Sequence, residues 1–384
     1  MEYKKRQANF EILRVIAIVM VLILHYLSQT GSLLEIGYAP TARQITGQFI
    51  ESFCVVAVNV WILISGYFLS KSAFKLTRIL QLLAEVYFYT LLVTIVMQMV
   101  DTVNVAETDR IYKTTQYLFP ISSEHYSFAT AYILLYVIAP VLNKGVQYMT
   151  RKQIKYTIIG LLIWFCIIKS IIPVNFPTDM YGYNLDWYIC LYLIAAYIRK
   201  YNVRILTGFG TSALLFIISG LGNFVVSVVF HHINLSTGRF NYYATVPAHY
   251  NFILCLTGAL GLFSMFRYMK AGESSFTKVM RVLAPFSFGV YLLHEHIEVR
   301  DRWVTWLSGL SVIGAIPESV GGMLFHMLKC VVVLFACCVF VDFIRFQIFE
   351  FVQRICAGTK LSKWLRKIDG ELAVDKERTG LVHE

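Results

Sequence analysis

Charged side chains are scarce in this 384-residue chain: Asp, Glu, Lys and Arg make up 15% of it, while 57% of the residues are hydrophobic. So little charge excludes an ordinary soluble domain, in which about a quarter of the residues are charged. Eight cysteines are present, but none forms a CxxC pair or a Cys/His spacing typical of zinc. Neither a disulfide framework nor a metal site is therefore predicted.

The net charge of +11 does not indicate a nucleic-acid-binding protein, because the basic residues are spread between apolar segments. A protein that binds nucleic acid concentrates Lys and Arg on one face or domain. No small-residue cleavage site follows the first apolar segment, which indicates a membrane span rather than a signal peptide. We therefore predict that the chain is embedded in a lipid bilayer and has no nucleic-acid partner.

Ten apolar segments are candidates to cross the roughly 30 Å of membrane hydrocarbon, which takes about 20 helical residues. They lie near 10–28, 48–69, 78–100, 126–143, 154–172, 186–199, 204–230, 246–267, 282–297 and 322–345. The segment at 186–199 is short, and the segment at 204–230 is overlong and contains four glycines, at which a helix can break. The pattern predicts an all-α, polytopic integral membrane helix bundle of about ten transmembrane helices.

The distribution of basic residues orients these spans. If the N-terminus is cytoplasmic, only six basic residues fall in the outer segments, namely Arg43, Arg110, Lys113, Arg239, Arg300 and Arg302. Such an asymmetry follows the positive-inside rule and predicts that both termini are cytoplasmic. We expect one transmembrane domain at 1–356 and a basic cytoplasmic tail at 357–384, for which a short interfacial helix and a solvated end are both open.

The first span contains three ionisable residues: Glu11, Arg14 and His25. At about 100° per residue, they fall within roughly 60° of one helix face, and Arg14 and His25 lie about 16 Å apart along it. Ionisable groups inside hydrocarbon usually face the protein interior and indicate a functional site. The spacing therefore predicts a guanidinium near one membrane surface and an imidazole deeper in the bilayer.

The opening stretch RQANFEILRVIAIVMVLILH resembles the first-helix motif of membrane acyltransferase family 3. That motif has an arginine before the helix, an acid, Leu-Arg, and a histidine eleven residues after the second arginine; here these are Arg6, Glu11, Leu13, Arg14 and His25. Three more stretches are similar to family motifs and follow in family order: NVWILISGYFLSK at 59–71, HYSFATAYILLYVIAPVLNK at 125–144 and SFGVYLLHEHIEVRDRWV at 287–304. The chain departs from the pattern at Glu11, Lys75 and Tyr126, where Asp, Arg and Trp are commoner.

The resemblance implies an enzyme of the bacterial cytoplasmic membrane that moves an acyl group, usually acetyl from acetyl-CoA, to a sugar hydroxyl. The acceptor would be a cell-surface polysaccharide or a lipid-linked glycan. Such a reaction needs a base to take the hydroxyl proton, and histidine is suited to this because its ordinary pKa is close to neutral. We therefore predict His25 as the general base.

Arg14 is predicted either to contact the donor through its forked N–H groups or to form a structural ion pair with Glu11. Glu11 is included in the predicted catalytic set, although an acid in the first turn also complements the helix dipole. The predicted donor-binding residues are Arg14, Ser65, Lys71, Lys75 and Arg78. For the three basic residues after the second span, anchoring to the inner membrane surface is the alternative.

The predicted acceptor-binding residues lie near the outer ends of the spans: His125, Tyr126, Trp187, Tyr291 and His294. An interfacial belt of polar and aromatic groups is the alternative interpretation. The sequence His294-Glu295-His296 suggests a metal site, but the two histidines are about 200° apart on a helix, so no metal is predicted.

Two other functions remain open at this point. A secondary transporter of a sugar or organic acid also has many spans and intramembrane charges, although no repeat relating two halves is visible in the sequence. A non-catalytic scaffold for polysaccharide assembly would require neither His25 nor Arg14.

Overall fold

The described part of the chain is entirely helical in a computed structural model. It comprises residues 7–100, 107–123, 125–172, 175, 180–203 and 206–378, with backbone alone at 107–112 and 373–378. No strand occurs in these ranges. Arg6 of the first-helix motif and the last six residues of the tail lie outside them. The all-α fold class is thus confirmed.

Seventeen α-helices follow one another along the described ranges. They are α1 (Ala8–Gln29), α2 (Ala42–Cys54), α3 (Ala57–Leu69), α4 (Leu76–Val100), α5 (Glu107–Leu118), α6 (Ser127–Tyr148), α7 (Arg151–Leu162), α8 (Ile168–Ile171), α9 (Leu185–Tyr201), α10 (Phe209–Thr237), α11 (Asn241–Thr245), α12 (Ile253–Tyr268), α13 (Ser275–Leu283), α14 (Ser287–His294), α15 (Trp303–Ser308), α16 (Val320–Cys356) and α17 (Lys360–Arg378). A π-helical turn joins α7 to α8. One 3₁₀ turn follows α11, and another joins α13 to α14.

Nine helical segments among the described residues are long and apolar enough to cross a membrane. They correspond to nine of the ten predicted spans, and the chain is a polytopic helical membrane protein. The remaining predicted span, at 186–199, is α9, which has 17 residues and is largely buried within the bundle. Its 17 residues rise about 26 Å, a little less than the hydrocarbon thickness.

Helix α10 runs without interruption through Gly220 and Gly222, so these two glycines do not break it. Gly220 is there for packing: a Cβ at this position would lie 2.4 Å from the Phe53 ring. Helix α10 also extends beyond the predicted end of the span, to Thr237.

Helices α1 and α3 form the centre of the bundle. Helix α3 is apolar on nearly all sides, as expected for a helix surrounded by protein, and packs against α1, α9 and α12. Helix α1 also contacts α13, α14 and α16. The face of α1 that carries Arg14 and His25 is therefore placed among other helices.

The basic tail forms helix α17, which docks on the beginning of α4. The Asp369 carboxylate accepts hydrogen bonds from the Thr77 hydroxyl and, at 3.3 Å, from the Thr77 backbone N–H. Because Thr77 lies in the first turn of α4, this N–H has no partner within its own helix. Contact of α17 with a membrane surface stays a prediction.

Candidate active site

The N-terminal half of α1 lines a cavity of about 690 Å³, here called the inner cavity. Its walls include Glu11, Arg14, Ser65, Arg78, Glu85 and Arg345. Arg14 donates a hydrogen bond from Nη1 to Oε1 of Glu11, and its guanidinium lies 5.6 Å from the centre of the Phe68 ring. Arg14 thus forms the predicted ion pair and also faces a cavity, so the two predicted roles are compatible.

His25 lines a second cavity of about 270 Å³, here called the outer cavity. Its walls include His25, Tyr183, Tyr250, Ser287, Tyr291 and Glu295. The Ser287 hydroxyl is buried and has no hydrogen-bond partner among the described residues. Tyrosine rings and isolated polar groups make this cavity suited to a ligand with both apolar faces and hydroxyls.

The two cavities adjoin each other. Trp61, Phe128 and Phe288 line both of them. These three side chains, here called the aromatic partition, lie between the cavity of Arg14 and the cavity of His25. A guanidinium and an imidazole on one helix therefore face two neighbouring cavities that share one wall.

His25 is in contact with a carboxylate and a second histidine. Its Nε2 lies 3.2 Å from Glu295 Oε1, and the centres of the His25 and His294 rings are 5.2 Å apart. The side chain of His25 is 35% exposed and that of His294 is 0% exposed. Of the two histidines, only His25 can therefore exchange a proton directly with a bound ligand.

His294 is fixed by its own helix. Its Nδ1 lies 2.7 Å from the Val290 carbonyl oxygen, which can only accept, so Nδ1 carries the proton. In the neutral ring Nε2 is then unprotonated, and it lies 3.9 Å from Glu295 Oε1. His294 thus presents a lone pair towards the His25–Glu295 pair from behind the cavity wall.

The predicted donor residues separate into two groups. Arg14, Ser65 and Arg78 line the inner cavity, with the Ser65 hydroxyl 3.4 Å from the Tyr132 hydroxyl. Lys71 lines a different cavity beside it. Lys75 is exposed just before α4 and is not among the residues that line these three cavities.

The predicted acceptor residues also separate. Tyr291 lines the outer cavity, whereas His294 is covered by its neighbours. Trp187 is buried, and its Nε1–H donates a hydrogen bond to Asn59 Oδ1 at 3.0 Å, so its one polar group is already satisfied within the protein. A direct contact of Trp187 with an acceptor stays a prediction.

His125 and Tyr126 belong to a second histidine cluster near the end of α14. The rings of His125 and His296 are 4.5 Å apart, and those of His125 and Tyr126 are 4.3 Å apart. Burial lowers the pKa of His125 to about 4 and that of His296 to about 3, so both are neutral at pH 7. His294 and His296 face different neighbours, as their spacing predicted.

Glu298 carries the charge of this second cluster. Burial opposes its ionisation, but hydrogen bonds from Tyr117 at 2.5 Å and Lys113 at 3.2 Å outweigh it and keep the pKa of Glu298 below its ordinary value. Glu298 is thus a stabilised carboxylate beside neutral rings, and a contact of His125 and Tyr126 with an acceptor stays a prediction.

A family model described as an acyltransferase domain matches residues 7–342, which is most of the chain. The chain belongs to acyltransferase family 3. Comparison with curated proteins and with solved structures gave no match. The family supports an acyltransferase activity for this membrane protein and favours it over the transporter and scaffold alternatives.

The acyltransferase has one group of three potential metal ligands in the part of the chain that the structure describes. His25, His294 and Glu295 each offer an atom, and these atoms lie within 4.8 Å of one another. His25 lies 270 positions from Glu295 in the sequence, so spacing within a single helix does not indicate this set. Two imidazoles and a carboxylate match a catalytic zinc set in type, so the expected absence of a metal stays a prediction.

Two residues of the acyltransferase site were not singled out from its sequence. Glu295 is one of them, and its position beside His294 is the signal that could have identified it. Arg345 is the other: it is buried, with Nε 2.6 Å from Asp342 Oδ1 and Nη1 3.2 Å from Glu85 Oε1. An arginine three residues after an aspartate in an apolar helix is the signal that could have identified it.

Proposed function

We propose that this acyltransferase moves an acetyl group from cytoplasmic acetyl-CoA to a hydroxyl of a cell-surface polysaccharide or lipid-linked glycan. His25 acts as the general base in the outer cavity. The donor enters from the inner cavity, whose end of α1 is the cytoplasmic one in the proposed orientation. No metal takes part.

The observation that carries this proposal is the pair of adjoining cavities on one face of α1. The inner cavity is lined by Arg14, Arg78 and Arg345 together with tyrosine and phenylalanine rings, and is large enough, at about 690 Å³, to admit the arm of the donor. The outer cavity offers an accessible imidazole held by a carboxylate. An elongated thioester that spans the aromatic partition would reach both, because Arg14 and His25 are about 16 Å apart along the helix.

The position of Glu295 supports an assignment of the proton on His25. We infer that in the neutral ring the Nε2 proton faces the Glu295 carboxylate, whose Oε1 lies 3.2 Å from Nε2, and that Nδ1 is the proton acceptor. The acceptor hydroxyl loses its proton to Nδ1 as its oxygen attacks the thioester carbonyl carbon. The C–S bond then breaks, and the proton on Nδ1 passes to the departing thiolate, so that the base is regenerated.

Two further groups support the charges that develop in this reaction. The Glu295 carboxylate stabilises the imidazolium that forms when His25 takes the proton. The Ser287 hydroxyl, which lines the same cavity, is available to donate to the carbonyl oxygen as it becomes negative.

Membranes containing the chain should transfer label from acetyl-labelled acetyl-CoA to endogenous glycan. The label should be released by mild alkali, since it forms an oxygen ester. Membranes without the chain are the control. Uptake or release of unmodified sugar by sealed vesicles, without labelled glycan, would contradict the proposal and restore the transporter alternative.

Replacing Glu295 by glutamine should lower the rate of acyl transfer about a hundredfold, with a small change in KM for acetyl-CoA. Glutamine keeps the size of the side chain but cannot stabilise the imidazolium by charge. The matched control is Asp301→Asn, which removes an 81% exposed carboxylate from the same outer segment. The rate is measured in membranes and divided by the amount of chain.

An E295Q variant with the wild-type rate would show that the carboxylate has no part in the reaction. Inhibition of the wild-type enzyme by a zinc chelator, reversed by added zinc, would assign His25, His294 and Glu295 to a metal instead.

A further inference from the structure

A third cavity, of about 490 Å³, lies beside the inner cavity and is here called the side cavity. It is bounded mainly by the segment after α3, the C-terminal half of α6 and the end of α9. Its walls include Lys71, Phe74, Tyr136, Lys144, Arg199 and Lys200. Among the described residues that line it there are four cationic side chains and no aspartate or glutamate.

The inner cavity differs from the side cavity in its charge. Arg14 is paired with Glu11, and Arg345 is paired with Glu85 and Asp342. Carboxylates thus compensate most of the positive charge there. A ligand with several phosphate charges therefore finds a stronger positive potential in the side cavity than in the inner cavity.

Two of the four cations are fixed in place by the fold. Lys200 donates from Nζ to the carbonyl oxygens of Val146, Gln147 and Met149, at 2.5, 3.1 and 3.2 Å, where α6 ends. Arg199 lies over the Tyr67 ring, with Cζ 4.4 Å from its centre. A cation held in this way loses little conformational freedom when it binds an anion.

The other two cations extend the charge to the opening of the cavity. Lys71 and Lys144 are exposed residues on its rim. Phe74 and Tyr136 also line this cavity, and the centres of their rings are 5.8 Å apart. Cations around an aromatic surface are the groups that bind a phosphorylated nucleotide, by charge and by stacking of the base.

The side cavity adjoins the inner cavity. Leu69 and Tyr136 line both the side cavity and the inner cavity. A ligand anchored in the side cavity can therefore extend past these two residues into the inner cavity and towards the aromatic partition.

We propose that the side cavity binds the phosphorylated adenosine end of the coenzyme A donor, with Lys144 and Arg199 as phosphate ligands alongside Lys71. The inner cavity then holds the uncharged pantetheine arm. This inference rests on the proposed function, because it assigns one part of the same donor to one cavity. The phosphate of a lipid headgroup has the same charge chemistry and is the competing occupant.

The test compares two donors that differ only in the nucleotide. Lys144→Gln is expected to raise KM for acetyl-CoA about tenfold with kcat unchanged, as for the loss of one charge-assisted contact. With acetyl-pantetheine, which lacks the nucleotide, the wild type and K144Q should have the same KM. Lys155→Gln, in an exposed lysine of α7, is the matched control and should leave both values unchanged.

Arg199→Gln is the second variant, and it should act on acetyl-CoA in the same direction. An equal KM for acetyl-CoA in the wild type and K144Q would overturn the proposal, and so would a rise of the same size for both donors. The second result would show that Lys144 acts on the fold, or through a bound lipid, rather than on the nucleotide.

A direct binding measurement separates this proposal from the proposed function. The purified full-length chain is titrated with adenosine 3′,5′-bisphosphate, and K144Q should bind it about tenfold more weakly. Failure of the wild type to bind it would overturn the nucleotide site even if acyl transfer occurs. Binding without any acyl transfer would contradict the proposed function and leave the site standing.

Discussion

Replacing His25 by alanine should abolish acyl transfer, with a rate at least about a thousandfold below that of the wild type. The reason is that the substitution leaves no second accessible imidazole, since His294 is fully buried. Glu295 still lines the outer cavity, but a carboxylate is ordinarily a far weaker base than an imidazole. The rate of label transfer from acetyl-CoA to glycan, per amount of folded chain, measures the effect.

The controls for H25A separate loss of chemistry from loss of structure. His232→Ala removes an exposed histidine of α10 and should leave the rate unchanged. His25→Gln keeps the side-chain volume and hydrogen bonding, and should be nearly as inactive as H25A. Either His25 variant with a normal rate and normal expression would remove His25 from the mechanism.

Gly289→Ala should destabilise the protein by about 3 kcal/mol, the upper end of what an added core methyl usually costs. A Cβ at Gly289 would lie 2.1 Å from Asp342 Cγ and 2.4 Å from both carboxylate oxygens. Asp342 cannot move away easily, because Tyr89 donates to Oδ1 at 2.5 Å and Arg345 donates to the same atom. Helix α14 would therefore be displaced from α16.

The stability of G289A is measured as the midpoint of thermal unfolding of the detergent-purified chain. Gly145→Ala is the matched control: Gly145 is also helical, and a Cβ there would meet nothing within 4 Å. It should raise the midpoint slightly, because alanine favours the helix. A G289A variant with an unchanged midpoint would show that α14 and α16 separate at little cost.

The helical architecture and the helix face shared by Arg14 and His25 could be predicted from the sequence. Apolar length located nine of the membrane-spanning segments, and the helical period placed Arg14 and His25 on one face of α1. Those inferences needed only local geometry. The family motifs then supplied the chemistry, which the match over residues 7–342 supports at the level of an acyltransferase.

The partners of these residues could not be predicted in the same way. The contact between His25 and Glu295 joins residues 270 positions apart, and it depends on how α14 packs against α1. Likewise, Lys71 and Arg78 are close in sequence but line different cavities. Periodicity determines the face of a helix, but not the helix that covers that face.

The glycines of α10 show the same limit of local reasoning. Glycine lowers helix propensity in isolation, but Gly220 allows the Phe53 ring to approach α10 closely. Packing against a neighbouring helix thus outweighs the local preference.

The aromatic partition has a consequence for the energetics of the cell. At a membrane potential of 100 mV, moving one elementary charge across the membrane changes its free energy by about 2.3 kcal/mol. An open water-filled passage would let ions cross and would collapse this potential. Trp61, Phe128 and Phe288 place three large rings between the two cavities. In the proposed reaction a slender, uncharged chain passes between these rings, and we expect it to leave little room for water and protons beside it.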